Sequence, residues 1–334
     1  MSLPDFITWF LDPAHHDHPV DRVELVQTHI SYVLLAGDYV YKFKKPVNFG
    51  FLDFTTLDKR RHFCQQELLL NRRLCPDIYL DVFSVSRQGA GFSCGFGGAG
   101  EAVEYGVRMK MMPQERMMGR VIARGELNES HLNDIVATLV PFYDKAAGGG
   151  EIAGFGTARA VGVNVLENFD QTRGFIGKGA LQQSQFAAIS SYARAFLQNE
   201  ALFFARCAER VKDCHGDLYS ANICLADKVY IFDCIEFNER FRYCDVASDV
   251  AFLAMDLDFH GLQALSGYFI DRFVAASNDP GLPAVLPFYK CYRAYVRGKI
   301  GLFTAHAPEV DELTRNKALA QAEKYFLLAE EYAG

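Results

Sequence analysis

His215-Gly216-Asp217-Leu218-Tyr219-Ser220-Ala221-Asn222, followed by the apolar run Val229-Tyr230-Ile231-Phe232 that closes on Asp233, is the stretch whose reading decides the fold. An acid stands two residues after a histidine, an amide five residues after the acid, and a second acid ends the run. Residues 222–225 and 229–232 read as two strands joined by the turn Ala226-Asp227-Lys228. Such a hairpin predicts Asn222 and Asp233 at one end, within reach of one cation. Phosphoryl transfer from a magnesium nucleotide calls for this set of groups. One carboxylate orients or deprotonates the attacking hydroxyl, while an amide oxygen and a second carboxylate hold Mg2+.

Read more widely, the chain carries a resemblance. His215-Gly-Asp217-Leu-x-x-x-Asn222 followed by Ile231-Phe232-Asp233 resembles the catalytic and metal-binding loops of the aminoglycoside phosphotransferase-like kinases, relatives of the protein kinases. Thr28-His29-Ile30-Ser31, Tyr41-Lys42-Phe43-Lys44-Lys45-Pro46 and Phe232-Asp233-Cys234-Ile235-Glu236-Phe237-Asn238 are similar to a bacterial branch of that family. The similarity runs from about residue 23 to about residue 300. It implies an α+β, two-lobe, protein-kinase-like fold. Residues 1–112 would form a small β-rich nucleotide-binding lobe and 113–334 a larger helical lobe for catalysis and substrate. It also implies roles. Asp217 is the base and His215 supports its loop. Asn222 and Asp233 hold metal. Lys42, held by Glu67, binds the phosphates of ATP. The turn from Thr28 to Ser31 covers those phosphates with hydroxyls and backbone N–H groups, since it lacks a glycine repeat. Residues 109–113 form the hinge, where the backbone of Met111 and Met112 would meet adenine. Asp249, in Asp249-Val250-Ala251, matches the family's Asp-Leu-Ala motif and braces the catalytic loop.

The bulk properties agree with an ordinary globular protein. At 334 residues the chain has room for two domains, and half of it is apolar. A net charge of −7 argues against non-specific nucleic-acid binding, which relies on cationic side chains. The nine cysteines lack paired CxxC spacing and read as small core residues of a reducing compartment. There is no basic, apolar leader and no apolar run of membrane-spanning length, so a cytoplasmic location away from membranes is expected.

Along the chain, residues 3–11 read as a short amphipathic helix, and the loop with His15, His16 and His18 reads as solvated rather than metal-binding. Residues 22–43 form three strand-like runs, with Gly37-Asp38 as a hairpin turn. Residues 78–86 and 103–112 complete an expected five-stranded sheet. Strand alternation puts Val40, Lys42 and Lys44 on one face, so both lysines are candidates for the phosphate site, and Lys42 is favoured by the three apolar residues before it. Thr55-Thr56-Leu57-Asp58 is a capping box for a helix running to about residue 74. Glu67 lies on that helix's apolar stripe with Phe63, Leu70 and Leu74, and a carboxylate there needs a cationic partner. Gly95-Phe96-Gly97-Gly98-Ala99-Gly100 matches GxGxxG, but it precedes a strand and follows the candidate lysines, so it reads as a hairpin loop and not a nucleotide loop. Residues 132–147 and 182–211 read as helices, and 150–180 as a mobile insertion. Glu236 is either a ligand for a second Mg2+ or a surface acid.

The functional expectation is ATP- and Mg2+-dependent phosphorylation of a hydroxyl on a small molecule. The alternative is a catalytically silent, kinase-like nucleotide-binding protein, disfavoured because every chemical group is present. A metal phosphohydrolase needs several histidine ligands, whereas this region offers His215 and, well downstream, His260. Two sets are candidates for the acceptor. Asp256 and Asp258 would attract an amine-bearing alcohol, and Arg293 and Arg297, one turn apart, suit an anionic one. The two sets are also able to pair with each other as buried ions. The planar arginine forks tip the expectation towards an acceptor with both a hydroxyl and an anionic group.

Overall fold

The computed structural model describes residues 3–95, 101–308 and 310–334. The chain divides into two compact units, the first comprising Met1–Arg116 with Tyr230–Glu239 and the second Met117–Val229 with Arg240–Gly334. The first division falls four residues beyond the anticipated end of the N-terminal lobe at residue 112. The return of Tyr230–Glu239 to the first unit is a second crossing that a contiguous split does not contain.

The first unit holds helix α1 (Asp5–Phe10), strands β1 (Val23–Gln27), β2 (Ser31–Ala36) and β3 (Tyr39–Lys44), helix α2 (Leu57–Asn71), and strands β4 (Tyr79–Gln88), β5 (Gly91–Gly95) and β6 (Ala102–Lys110). They make one six-stranded antiparallel sheet in the order β1-β2-β3-β6-β4-β5. Alternation along β3 sends Tyr41 and Phe43 into an apolar cluster with Leu34, Phe83 and Val85, closed by Ile7 and Phe10 of α1. The opposite parity, Lys42 and Lys44, faces Glu67 of α2.

The sheet has six strands rather than five because β5 pairs with β4 from Gln88↔Gly91 to Ser84↔Gly95. Gly95, the first residue of the expected loop, is the last residue of this strand, and Gly91 at its other end serves packing. A Cβ on Gly91 would lie 2.1 Å from the ring of Trp9, so only glycine lets α1 dock there. The rest of the GxGxxG match, residues 96–100, lies outside the described residues. Helix α2 is capped one residue later than the capping box placed it. The Thr56 hydroxyl accepts the Lys59 N–H at 3.3 Å, while Thr55 bonds Asp53. The histidines are not simply solvated. His15 and His16 bond the carbonyls of Trp9 and Phe10, and His18 bonds the Tyr41 hydroxyl at 3.0 Å. No metal-binding group of three or more His, Cys, Asp or Glu side chains occurs among the described residues.

The second unit is mostly helical. It runs through α3 (Met118–Ala123), α4 (Glu129–Lys145), α5 (Gly150–Ala153), α6 (Ala158–Thr172), α7 (Gln183–Phe196) and α8 (Glu200–Arg210) to strands β7 (Val211–Asp213) and β8 (Ile223–Leu225). Strand β9 (Val229–Ile231) carries the chain over to the first unit. Then follow α9 (Glu239–Arg242), β10 (Tyr243–Asp245), α10 (Val246–Phe259), α11 (Gln263–Ser277), α12 (Leu282–Ala305) and α13 (Glu312–Ala333). Helix α10 is the axis of this unit, since all of its residues except Phe259 are buried. It packs on α11 and α12, and α12 packs on α13.

Two segments depart from the sequence reading. Residues 150–180 are not a mobile insertion, because α6 buries Val161, Val165, Phe169 and Thr172 along one stripe. The helix anticipated over 182–211 is two helices. Leu197 closes α7, and Asn199, held by a bond from its N–H to the Phe196 carbonyl at 3.0 Å, begins α8. No helix of the described residues is long and apolar enough to cross a membrane.

Candidate active site

The Asp217 loop belongs to the second unit. Strands β7 and β10 pair with one another, and the chain leaves β7 through Cys214, whose N–H bonds the Arg242 carbonyl at 3.0 Å. Gly216 then turns the backbone at φ +87°, a left-handed value that glycine reaches without a Cβ clash. Asp249, in the first turn of α10, is fully buried and would be untenable alone. Its Oδ2 accepts the His215 N–H at 2.8 Å and the Tyr143 hydroxyl at 2.9 Å, and its Oδ1 accepts the Gly216 N–H at 2.8 Å. His215 Nδ1 accepts the Asp217 N–H at 3.3 Å, so that ring nitrogen carries no proton. Asn222 closes the loop, its Nδ2 donating to the Asp217 carbonyl and to Asp217 Oδ2, both at 2.9 Å. The carboxylate of Asp217 therefore sits on a turn whose backbone is tied at residues 215, 216, 217 and 220.

The tie at residue 220 changes the assignment of the acceptor candidates. Asp256 Oδ2 accepts the Ser220 N–H at 3.0 Å, so this carboxylate supports the loop. Arg293 is also spent on backbone, donating from Nη1 to the Gly216 carbonyl and from Nε to the Ser248 carbonyl, each at 3.1 Å. Asp258 pairs with Lys290 at 2.7 Å and accepts the Tyr332 hydroxyl. These three residues are engaged inside the unit, and the acid and arginine sets do not pair with one another. The remaining candidate, Arg297, lies over the ring of Tyr219 at 4.6 Å.

A different arrangement lies in the first unit. Lys42 forms ion pairs with Glu67 at 2.8 Å and with Asp233, while Lys44 forms them with Glu67 at 2.8 Å and with Glu236. The two lysines, both candidates from the sequence, differ in their partners. Both reach Glu67, but Lys42 alone meets Asp233, and Lys44 is 2% exposed. Glu236 is buried against Lys44 and is not a surface acid. Burial alone would raise the Glu67 carboxyl, yet the two ammonium groups outweigh it and bring its pKa down to about 2. For Glu236 burial wins and the carboxyl is raised. Burial works against the charge of Lys42, but Asp233 and Glu67 hold its pKa well above the ordinary value.

Asp233 adopts φ +62°, a left-handed conformation that costs a non-glycine residue roughly 1–3 kcal/mol. Two groups hold it there. The Tyr79 hydroxyl accepts the Asp233 N–H at 3.2 Å, and Asn71 Oδ1 accepts the Cys234 N–H at 2.9 Å. Neither Tyr79 nor Asn71 was singled out from sequence, and their only signal was a polar residue at the end of a helix stripe and a tyrosine opening a strand. In the segment expected to be the hinge, the Met111 N–H is bound to the Asp38 carbonyl at 2.8 Å, and the Met112 carbonyl accepts from Gln114 at 3.1 Å. The turn from Thr28 to Ser31 also bonds internally. The Thr28 hydroxyl accepts the N–H groups of Ile30 and Ser31 at 3.2 and 2.9 Å, and Ser31 is buried.

The first unit's six-stranded sheet with one long helix and the second unit's helical body define the class: the chain has the α+β, two-lobe fold of the protein-kinase-like small-molecule kinases. Among solved structures it is similar to an amicoumacin kinase in complex with AMP-PNP, Ca2+ and Ami, with a TM-score of 0.55 and 13% identity over 92% of this chain and 88% of the other. It is also similar to a choline/ethanolamine kinase family protein from Mesorhizobium loti, with a TM-score of 0.50 and 11% identity over 93% and 92% of the two chains. In sequence it is similar to uncharacterised proteins of Mycobacterium tuberculosis and Mycobacterium bovis, each 31% identical over 323 residues and 94% of this chain. The chain spans 61% of the length of those relatives. No protein-family profile matches it.

Proposed function

We propose that the chain is a phosphotransferase that moves the γ-phosphoryl group of Mg-ATP onto a hydroxyl of a small molecule. The observation that carries this reading is Asp217, a carboxylate on a turn held by Asp249, Asp256, Arg293 and Asn222. That much restraint fits a group whose position governs a reaction. Asp217 accepts the proton of the acceptor hydroxyl as its oxygen forms the new bond to phosphorus and the bond to the ADP oxygen breaks. Lys42 supplies the ammonium for the phosphates, and Glu67 keeps it in place. Recognition of adenine falls to the hinge around Met111 and Met112, with the Met111 N–H already engaged. The Thr28 hydroxyl and the N–H groups of Thr28, Ile30 and Ser31 are committed to their own turn and Ser31 is buried, so cover of the phosphates by this turn would require those bonds to be exchanged.

The donor set suits Mg2+. Asn222, whose Nδ2 is spent on Asp217, offers its carbonyl oxygen, and Asp233 offers a carboxylate whose side chain is 43% exposed. When bound, the cation neutralises charge on the phosphate oxygens. The fold neighbour described with AMP-PNP and Ca2+ supports use of a nucleotide with a divalent ion.

The test begins with thermal shift of the protein by ATP with and without Mg2+, followed by ADP release across a panel of hydroxylated metabolites. Asp217→Asn should keep the nucleotide-induced shift and lower turnover roughly 10²–10⁴-fold. Undiminished ADP formation by that variant would remove Asp217 from the chemistry. No stabilisation by Mg-ATP would end the phosphotransferase reading.

A further inference from the structure

Cations packed into the second unit meet acceptors, either carboxylates or carbonyls. Arg206 meets Asp245 and Asp279, Arg242 meets Asp213, Lys290 meets Asp258, and Arg293 meets two carbonyls. Arg297 departs from this rule. It forms no ion pair among the described residues, and its Nε–H is buried without a hydrogen-bond acceptor. The residue as a whole is half-buried, but a charged donor enclosed without an acceptor is costly, and a guanidinium with no carboxylate partner suits an anion that arrives from outside.

The surroundings of Arg297 are built rather than incidental. Its guanidinium carbon lies 4.6 Å from the ring centre of Tyr219 and 5.6 Å from that of Tyr325. Each ring is itself fixed by a stack on α10. Tyr219 lies on Phe252 with centroids 5.3 Å apart, and Tyr325 lies on Phe259 at 3.9 Å. Aromatic faces beside a guanidinium hold its orientation and do not neutralise its charge. Tyr219 stands two residues after Asp217, so the clamp is part of the same loop. Burial opposes the charge of Arg297, and Tyr219, Tyr325 and Asp217 are the groups that keep it protonated. The cation is thus within the field of the proposed base.

We infer that the acceptor alcohol carries an anionic group, a carboxylate or a phosphate, which Arg297 binds while the hydroxyl meets Asp217. This rests on the phosphotransferase reading. It names the acceptor class from one residue, after Arg293, Asp256 and Asp258 proved to be committed elsewhere. A planar fork of N–H donors suits either anion, and a substrate ammonium would be repelled.

The experiment compares alcohols that differ in charge at one position. One series is glycerol, glycerate, glycerol 3-phosphate and 3-amino-1,2-propanediol. The other is glucose, glucuronate, glucose 6-phosphate and glucosamine. Each is assayed by ADP release with the parent protein, Arg297→Met and Arg297→Lys, and the Mg-ATP thermal shift reports that each variant is folded. In the parent, kcat/KM should be at least roughly tenfold higher for an anionic member than for its neutral counterpart, the worth of one charge-assisted contact. Arg297→Met should bring that ratio close to one, and Arg297→Lys should restore part of it. Equal or better turnover of the neutral or amine members by the parent overturns the inference and leaves the phosphotransferase reading standing. So does a uniform loss over all members in Arg297→Met, which would make Arg297 a support for Tyr219. A parent protein that Mg-ATP does not stabilise removes the underlying reading and this inference with it.

Discussion

Glu67 in the first unit and Asp249 in the second are both carboxylates with essentially no exposure, at 1% and 0%, and they are neutralised by different means. Glu67 faces two ammonium groups, those of Lys42 and Lys44, which in turn reach Asp233 and Glu236. Asp249 faces two backbone N–H groups and a tyrosine hydroxyl. The first arrangement is charge against charge at the ends of long, flexible side chains, so partners can exchange when a new anion such as a phosphate arrives. The second is charge against the main chain, which fixes where residues 215–217 run. On the proposed function, the first property suits a nucleotide site and the second a loop that aims a base.

The largest effect expected from breaking this contrast is that of Lys44→Met. It leaves Glu67 and Glu236 buried with one fewer cation, and removing one partner of a buried pair costs about 3–5 kcal/mol. The loss should depend on pH. Glu236 is already raised above its ordinary 4.5 by burial, and without Lys44 it rises further. A group raised in the folded state contributes stability that is present below the ordinary value and is lost as pH rises through the folded one. Urea melts at about pH 5 and about pH 8 should therefore show a larger deficit for the variant at the higher pH. An equal deficit at both would mean that packing, and not charge, is what Lys44 supplies. The parent behaves in the opposite sense through Glu67. Its contribution is complete above the ordinary 4.5 and disappears as pH falls towards about 2.

Asp249→Asn should come next, at about 1–3 kcal/mol, because an amide nitrogen would face N–H donors that need an acceptor. Here the deficit should be the same at both neutral and mildly alkaline pH, since backbone amides do not titrate. Turnover should fall along with stability. A variant with full activity would show that the Asp217 turn holds its shape without the brace. Lys42→Met should have the smallest effect on stability, about 1 kcal/mol, since Glu67 keeps Lys44 and the Asp233 side chain is partly exposed. Calorimetric titration should nonetheless show Mg-ATP affinity reduced by at least roughly tenfold. If Lys44→Met weakened nucleotide binding more, at temperatures where both variants remain folded, the phosphate role would pass to Lys44.

What was legible in the sequence follows the same division. A carboxylate on an apolar helix stripe announces that it needs a cation, and strand parity names the lysines that face it. Glu67, Lys42 and Lys44 are readable in this way, although parity cannot rank two lysines on one face. Bonds from a side chain to a distant backbone leave no such trace. Arg293 and Asp256 therefore look like substrate ligands in the sequence, whereas in the structure one holds the Gly216 carbonyl and the other the Ser220 N–H. Strand β5 was hidden by its glycines, of which Gly91 answers to Trp9 rather than to a turn. Helix α6 was hidden by its neighbours, because the glycines and asparagines around it masked the stripe of Val161, Val165 and Phe169. The alternation in β3 and the Gly37-Asp38 turn are local, and they were plain.

The return of Tyr230–Glu239 to the first unit has a consequence for how the protein is made. A ribosome delivers the sheet, α2 and both lysines long before it delivers Asp233 and Glu236. At roughly 5–20 residues per second, the wait from residue 116 to residue 239 is on the order of ten seconds. During that interval Lys44 and Glu67 are present and Glu236 is not, so the nascent sheet holds an excess of positive charge at its heart. The first lobe to emerge is thus among the last to be completed, and expression of residues 1–116 alone would yield a fragment missing both acids that balance its lysines.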